Sequence, residues 1–219
     1  GDNPVVWSDP WPSVTAGGWQ YAEAAEHPGA QFHWVEAVVA DPTPLAELPI
    51  AGSLAVDALR VAAWRPRWAA EVDERTIPHE ADWLRTAVHL HKGCYRGQET
   101  IARVHNLGRP PRRVVMLHLD GSGHLLPAPG AEVTLDGRAV GAVTSVARHH
   151  ELGPIALAVL KRSAPVDAEL LVDCDGGAIS AAQEVVVPGE GVSVDRPAAR
   201  GPVGRGVTPR GEGAPTSML

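Results

Sequence analysis

The rhythm of hydrophobic and polar positions changes part-way along this chain. From Gln31 to Ala40 the pattern alternates, with Phe32, Trp34, Glu36 and Val38 on one face, which predicts a strand. Ser53 to Trp64 has helical spacing instead: Leu54, Ala58, Val61 and Ala62 recur on one side, Ser53 stands at the cap position, and Pro66 blocks continuation. Glu71 to Glu80 is acidic and contains the Ile77-Pro78 step, which reads as an extended connection. Ala81 to Val88 predicts a short helix with Trp83, Leu84, Ala87 and Val88 inward. Gln98 to Asn106 predicts another, stopped by Asn106 and Gly108. The first 52 residues are otherwise broken by prolines and tryptophans, and Trp7, Trp11 and Trp19 are read as cover for a core edge.

Beyond Arg109-Pro110-Pro111 the pattern becomes one of short strands and tight turns. Strands are predicted at Arg113–Leu119, Ala131–Leu135, Arg138–Val146, Ile155–Leu160 and Leu170–Val172, with Asp136-Gly137 as a hairpin turn. Such a series suggests a small antiparallel barrel or sandwich. After Val187 the apolar pattern ends in Gly, Pro and Arg, the composition of a disordered tail. The predicted organisation is a mixed helix and strand unit over 1–108, a barrel over 109–187 and a tail over 188–219.

Composition changes this picture little but limits function. The 219 residues are 44% hydrophobic, enough for a sizeable core, and no apolar run reaches the length of a membrane span, about 18 residues or more. A net charge of -7 argues against direct nucleic-acid binding. Cys94 and Cys174 lie far apart without a C-x-x-C pattern, which favours a reducing, cytoplasmic setting over a disulfide scaffold or zinc site. The start, Gly1-Asp2-Asn3-Pro4, has no initiator Met or signal core and is read as the beginning of a segment whose upstream part is missing.

The densest chemistry is in Lys92-Gly93-Cys94-Tyr95-Arg96-Gly97-Gln98-Glu99. A thiolate is the nucleophilic form of cysteine, and Lys92, Arg96 and the start of the following helix are the surroundings that favour it. Gly93 and Gly97 permit tight bends and open backbone amides. Cys174, between Asp173 and Asp175, has the opposite setting and reads as structural. His89, His91 and His105 flank the octapeptide without a metal-ligand signature, and His149-His150 falls in a predicted turn, so no metal site is expected.

The octapeptide resembles the K-G-C-Y-x-G-Q-E signature of YgfZ-type proteins, folate-binding relatives of the glycine cleavage T-protein, an aminomethyltransferase. The resemblance extends through Thr76-Ile77-Pro78-His79-Glu80, Arg103 with Gly108, Gly141-Ala142-Val143-Thr144-Ser145 and Ile155-Ala156-Leu157-Ala158. Arg60 stands where that superfamily carries an Arg-x-Glu-Ala-Gly stretch near its folate. The resemblance implies an α+β fold, the C-terminal half of a folate-binding domain followed by a small antiparallel barrel. It implies Cys94 as the reactive thiol with Lys92 beside it, and tetrahydrofolate as cofactor. Arg60, Glu80, Tyr95, Gln98, Glu99 and Arg103 are the implied cofactor-binding residues. The implied role is that of a monomeric accessory factor for iron-sulfur client proteins, including a tRNA-modifying enzyme. Two alternatives stand beside it: one-carbon transfer to tetrahydrofolate in the T-protein manner, and a noncatalytic interaction scaffold.

Overall fold

A computed structural model describes residues 4–22, 24–106 and 109–190. The expected mixed fold with a small antiparallel barrel is present. Strands β3 (Arg112–Leu119), β4 (Glu132–Leu135), β5 (Arg138–His149), β6 (Gly153–Lys161), β7 (Leu170–Cys174) and β8 (Gly177–Val185) close into a ring in the order β3-β6-β5-β4-β7-β8. Asp136 and Gly137 both have positive φ, 50° and 73°, as a two-residue hairpin turn needs. Strand β8 is an addition to the sequence reading. Its alanines and serine carry a weak apolar signal, and register against β3 and β7 supplies what propensity does not.

Two cores share the same strands. Val115, Leu117, Ala156, Ala158 and Leu160 point into the barrel, while Val114, Met116, Ile155 and Leu157 point outward against Ala58, Val61, Trp64 and Leu84. Burial on both faces explains why β3 and β6 read as unbroken apolar runs rather than alternating ones. Each buried Val, Leu, Ile or Met side chain contributes roughly 1.5–3 kcal/mol. The outer core therefore attaches the N-terminal unit to the barrel.

The N-terminal unit holds β1 (Val5–Ser8), β2 (Val35–Val38), α1 (Ser53–Ala62), α2 (Trp68–Glu71) and α3 (Gln98–Asn106), with 3-10 turns at Pro28–Gln31, Thr43–Leu45, Pro78–Ala81 and Trp83–Arg85. The strand expected over Gln31 to Ala40 shortens to β2, because its first residues belong to the 3-10 turn Pro28–Gln31 and the Phe32 that caps it; its partner is β1, pairing Val5 with Val38 and Ser8 with Val35. Helix α1 is capped by Gly52 with no side-chain bond, and not by Ser53; Leu54 lies outside the core, 83% exposed. The expected helix over Ala81 to Val88 is a single 3-10 turn. Asp82 sits in the left-handed region at φ 54°, which breaks an α-helix at its second residue. Helix α3 has the predicted ends. The tail expectation lies outside the described residues from Gly191 onward.

Trp11 is core, not edge cover. Its ring is fully buried, its Nε1 donates to the Ala63 carbonyl at 2.9 Å, and the Arg85 guanidinium lies 5.0 Å from its centroid. His27 meets it edge-on at 5.7 Å. Asp82 accepts from the Tyr21 amide at 2.7 Å and faces His27 Nε2 at 3.8 Å and Arg85 Nη1 at 3.9 Å.

Polar struts complete the attachment. The buried Glu71 carboxylate accepts from Ser145 Oγ at 2.5 Å, Thr144 Oγ1 at 2.9 Å and the Arg67 amide at 2.6 Å, and lies 3.5 Å from Arg60 Nη1. Arg112 bridges Asp73 and the buried Glu80, at 2.6 and 2.9 Å. Hydrogen bonds from Arg112 and then Thr76 hold the Asp73 carboxyl well below the usual range, yet this side chain is 53% exposed and screened. Asp73→Asn is accordingly expected to lower stability by less than about 1 kcal/mol, read as a small shift of the urea midpoint.

Candidate functional site

Two cavities flank the elements that carry the predicted site residues. Lys92 to Gly97 of the octapeptide lie in the loop between Leu90 and α3, and Gln98 and Glu99 open that helix. His89 fixes its start: the ring packs against Gly17, where an added Cβ would lie 2.4 Å from it, and the Leu90 amide donates to the Gly17 carbonyl at 2.9 Å. Gly97 takes φ 84°, a conformation glycine adopts without strain, and its carbonyl receives the Ile101 amide of α3 at 3.1 Å.

On this loop Lys92, Cys94 and Arg96 are exposed, and Lys92 Nζ lies 5.2 Å from the Tyr95 ring centroid. Tyr95 itself is half-buried against the outer core. Cys94 precedes α3 by four residues, so the helix start is one turn from the thiol. Cys174 differs. Burial, then Asp173 and Asp175, push its thiol up, in agreement with the sequence reading. A disulfide-exchange thiol reagent is therefore expected to label Cys94 first, with Cys174 slower, as peptide mass spectrometry would report.

The first cavity, about 290 Å³, lies between the β1–β2 sheet and α1. Trp7, Phe32 and Trp34 give it aromatic walls, the last two with parallel rings 6.3 Å apart. Glu36, Asp57, Arg65 and Arg67 give it charged edges. Arg65 is held by Asp9 at 2.8 Å and by a bond to the Pro66 carbonyl, and Glu36 Oε1 accepts from Trp34 Nε1 at 2.9 Å. The second cavity, about 650 Å³, abuts the octapeptide at Arg96 and Gly97 and includes Trp68, Trp83, Asp73 and Glu74.

The predicted residues are distributed among these places. Arg60 lines the first cavity, but its guanidinium is engaged by Asp57 at 3.2 Å, the Arg65 carbonyl at 2.9 Å, Ser145 Oγ at 2.8 Å and Glu71. Glu80 is buried under Arg112. Gln98, Glu99 and Arg103 belong to α3, with Glu99 and Arg103 exposed. The aromatic walls and the Trp68–Trp83 pair were missed by sequence reasoning, although the alternation of Phe32, Trp34 and Glu36 already put three cavity residues on one face. No group of three or more His, Cys, Asp or Glu gathers at metal-binding spacing among the described residues.

Residues 112–188 match the family model of the glycine cleavage T-protein C-terminal barrel domain. Over this segment the chain is similar to a T-protein C-terminal barrel. The segment's six strands are the closed ring described above, entered at Arg112. A curated protein of Arabidopsis thaliana named "Putative transferase At1g60990, chloroplastic" is 37% identical over 94 residues, 43% of this chain and 21% of the relative. The solved glycine cleavage system aminomethyltransferase T from Bartonella henselae overlays with a TM-score of 0.49 at 21% identity, covering 63% of this chain and 38% of that one. The match thus spans about a fifth of the curated relative's length. No helix among the described residues is long and apolar enough to cross a membrane.

Proposed function

We propose that this T-protein superfamily chain acts as a folate-dependent accessory protein for iron-sulfur enzymes, with Cys94 as its reactive thiol, in a reducing compartment such as the cytoplasm. The observation that carries the reading is the octapeptide itself, presented as an exposed loop whose thiol is free. A structural cysteine would be buried, as free cysteines mostly are.

The donor set of the smaller cavity fits the bicyclic head of a folate. Aromatic walls offer stacking, Glu36 and Asp57 offer acceptors for ring N–H and amino groups, and Arg65 and Arg67 offer donors for a ring carbonyl. Its volume, about 290 Å³, is at the lower end of small-molecule sites, roughly 300–1,000 Å³, which suits the head with its tail outside. Bound there, the folate would supply one-carbon chemistry. Arg60, at the cavity's edge with its guanidinium already engaged, acts chiefly by orienting Asp57, which accepts from its Nε at 3.2 Å.

Complementation decides the thiol's role. In a strain deleted for the gene, Cys94→Ala is expected to leave iron-sulfur enzyme activities at the deletion level, and wild-type activities would overturn the reading. Tetrahydrofolate titration of the protein should give saturable heat that is reduced in Glu36→Gln. One-carbon transfer is the second reading, favoured by the T-protein barrel. Formation of methylenetetrahydrofolate from an aminomethylated carrier protein would establish it in place of the first.

A further inference from the structure

The larger cavity holds a feature that neither the fold nor the folate reading uses. Trp68 is 74% exposed, and its ring lies parallel to that of Trp83, with centroids 5.9 Å apart and planes inclined by 8°. An indole left this far in water contributes little to the core. The pair lines the cavity together with Arg96 and Gly97 of the octapeptide and with Asp73 and Glu74.

We propose that this cavity is a recognition subsite for an arginine side chain of a partner polypeptide, held on the Trp68–Trp83 wall beside the loop that carries Cys94. The inference rests on the proposed role of Cys94 as a thiol presented to client proteins. Three observations select the ligand. Indole faces attract cations and stack on planar ones, and the guanidinium is planar and weakly hydrated. Asp73 and Glu74 supply the complementary charge; Glu74 is exposed and enters no ion pair among the described residues, while Asp73 uses its carboxylate on Arg112. Arg96 leaves the cavity's lining with a net charge of only minus one, from two carboxylates and one guanidinium. Charge alone is therefore a weak attraction, and the ring faces must contribute. This favours arginine over lysine, whose compact ammonium is strongly hydrated. A partner residue seated there lies beside the loop that carries the thiol, since Arg96 is two residues beyond Cys94.

The test is a capture assay with short peptides that carry one cysteine activated as a thiopyridyl disulfide, placed two residues from Arg, Lys or Gln. The Cys94 thiolate attacks the peptide sulfur, a Cys94–peptide disulfide forms, and thiopyridone leaves with the electron pair and is read by absorbance. The Arg peptide is expected to react about fivefold faster than the Gln peptide, the scale of one exposed cation–π contact, with Lys clearly below Arg. Trp68→Ala, an exposed position, should remove the advantage and Glu74→Gln reduce it, while the rate with a small neutral disulfide stays unchanged in both. Equal rates for Arg and Gln would overturn the proposal. So would Lys matching Arg, which would indicate general attraction by an acidic chain, or an advantage that survives Trp68→Ala. The outcomes separate from those of the functional reading: loss of the arginine preference leaves a Cys94-dependent complementation result intact, and failed complementation leaves the preference measurable.

Discussion

Trp11→Ala is expected to destabilise the protein by about 3–5 kcal/mol, the cost of deleting a fully buried indole. Three supports fail together in this variant. The hydrogen bond to the Ala63 carbonyl is lost, leaving that acceptor at the end of α1 without its donor. The Arg85 guanidinium loses the ring beneath it, and Gly29, whose Cβ position is 2.6 Å from Trp11 Nε1, faces a void. Chemical denaturation followed by far-ultraviolet circular dichroism measures the loss. A change under about 1 kcal/mol would mean that the N-terminal unit is not cooperatively joined to the rest.

The second large effect is a pair of opposite changes in pH dependence when the buried His27–Asp82 pair is split. Burial raises the Asp82 carboxyl to about 7, against the pull of the Tyr21 amide and Arg85. Burial, then Arg85, lowers the His27 imidazole to about 3. The signs oppose each other. A carboxyl with a raised folded value makes stability fall as pH rises from about 4 to 7. An imidazole with a lowered folded value makes stability rise as pH rises from about 3 to 6.5. Where the windows overlap these two contributions cancel, so the rise left in the wild type between about pH 4 and 6.5 comes from His79, which burial, then His105, lowers to about 4. Relative to the wild type, His27→Gln should add a falling slope and Asp82→Asn a rising one, each difference up to about 1.4 kcal/mol per pH unit, the value for one proton. Urea unfolding at several pH values measures both. Parallel slopes in the two variants would refute the pairing of opposite shifts.

The barrel was legible in the sequence because its signals are local. The Asp136-Gly137 turn and the runs around Val114 and Ile155 each specify their own conformation within a few residues. What sequence reading missed depends on distant partners. Strand β1 exists only because β2 pairs with it across 26 residues of turns, between Ser8 and Val35. Asp82 interrupts a helical pattern because the Tyr21 amide, 61 positions away, holds its carboxylate. The octapeptide was found by its composition of glycine, thiol and charge, and its exposure follows from Gly93 and Gly97 having no neighbours to pack against. The Trp68–Trp83 pair gave no comparable signal: two tryptophans 15 positions apart show nothing of their parallel rings until the 3-10 turn at Pro78–Ala81 brings the second beneath the first.

The ring closes through β3 and β8, with Val115 opposite Val185, so the first and last strands of the barrel are neighbours. Arg109, just before it, and Glu190, just after it, are joined at 2.6 Å. The polypeptide therefore enters and leaves this module at one doorway. A unit built in this way can be spliced into a longer protein, or circularly permuted by cutting at Asp136-Gly137 and linking the old ends, with little rearrangement of the host chain.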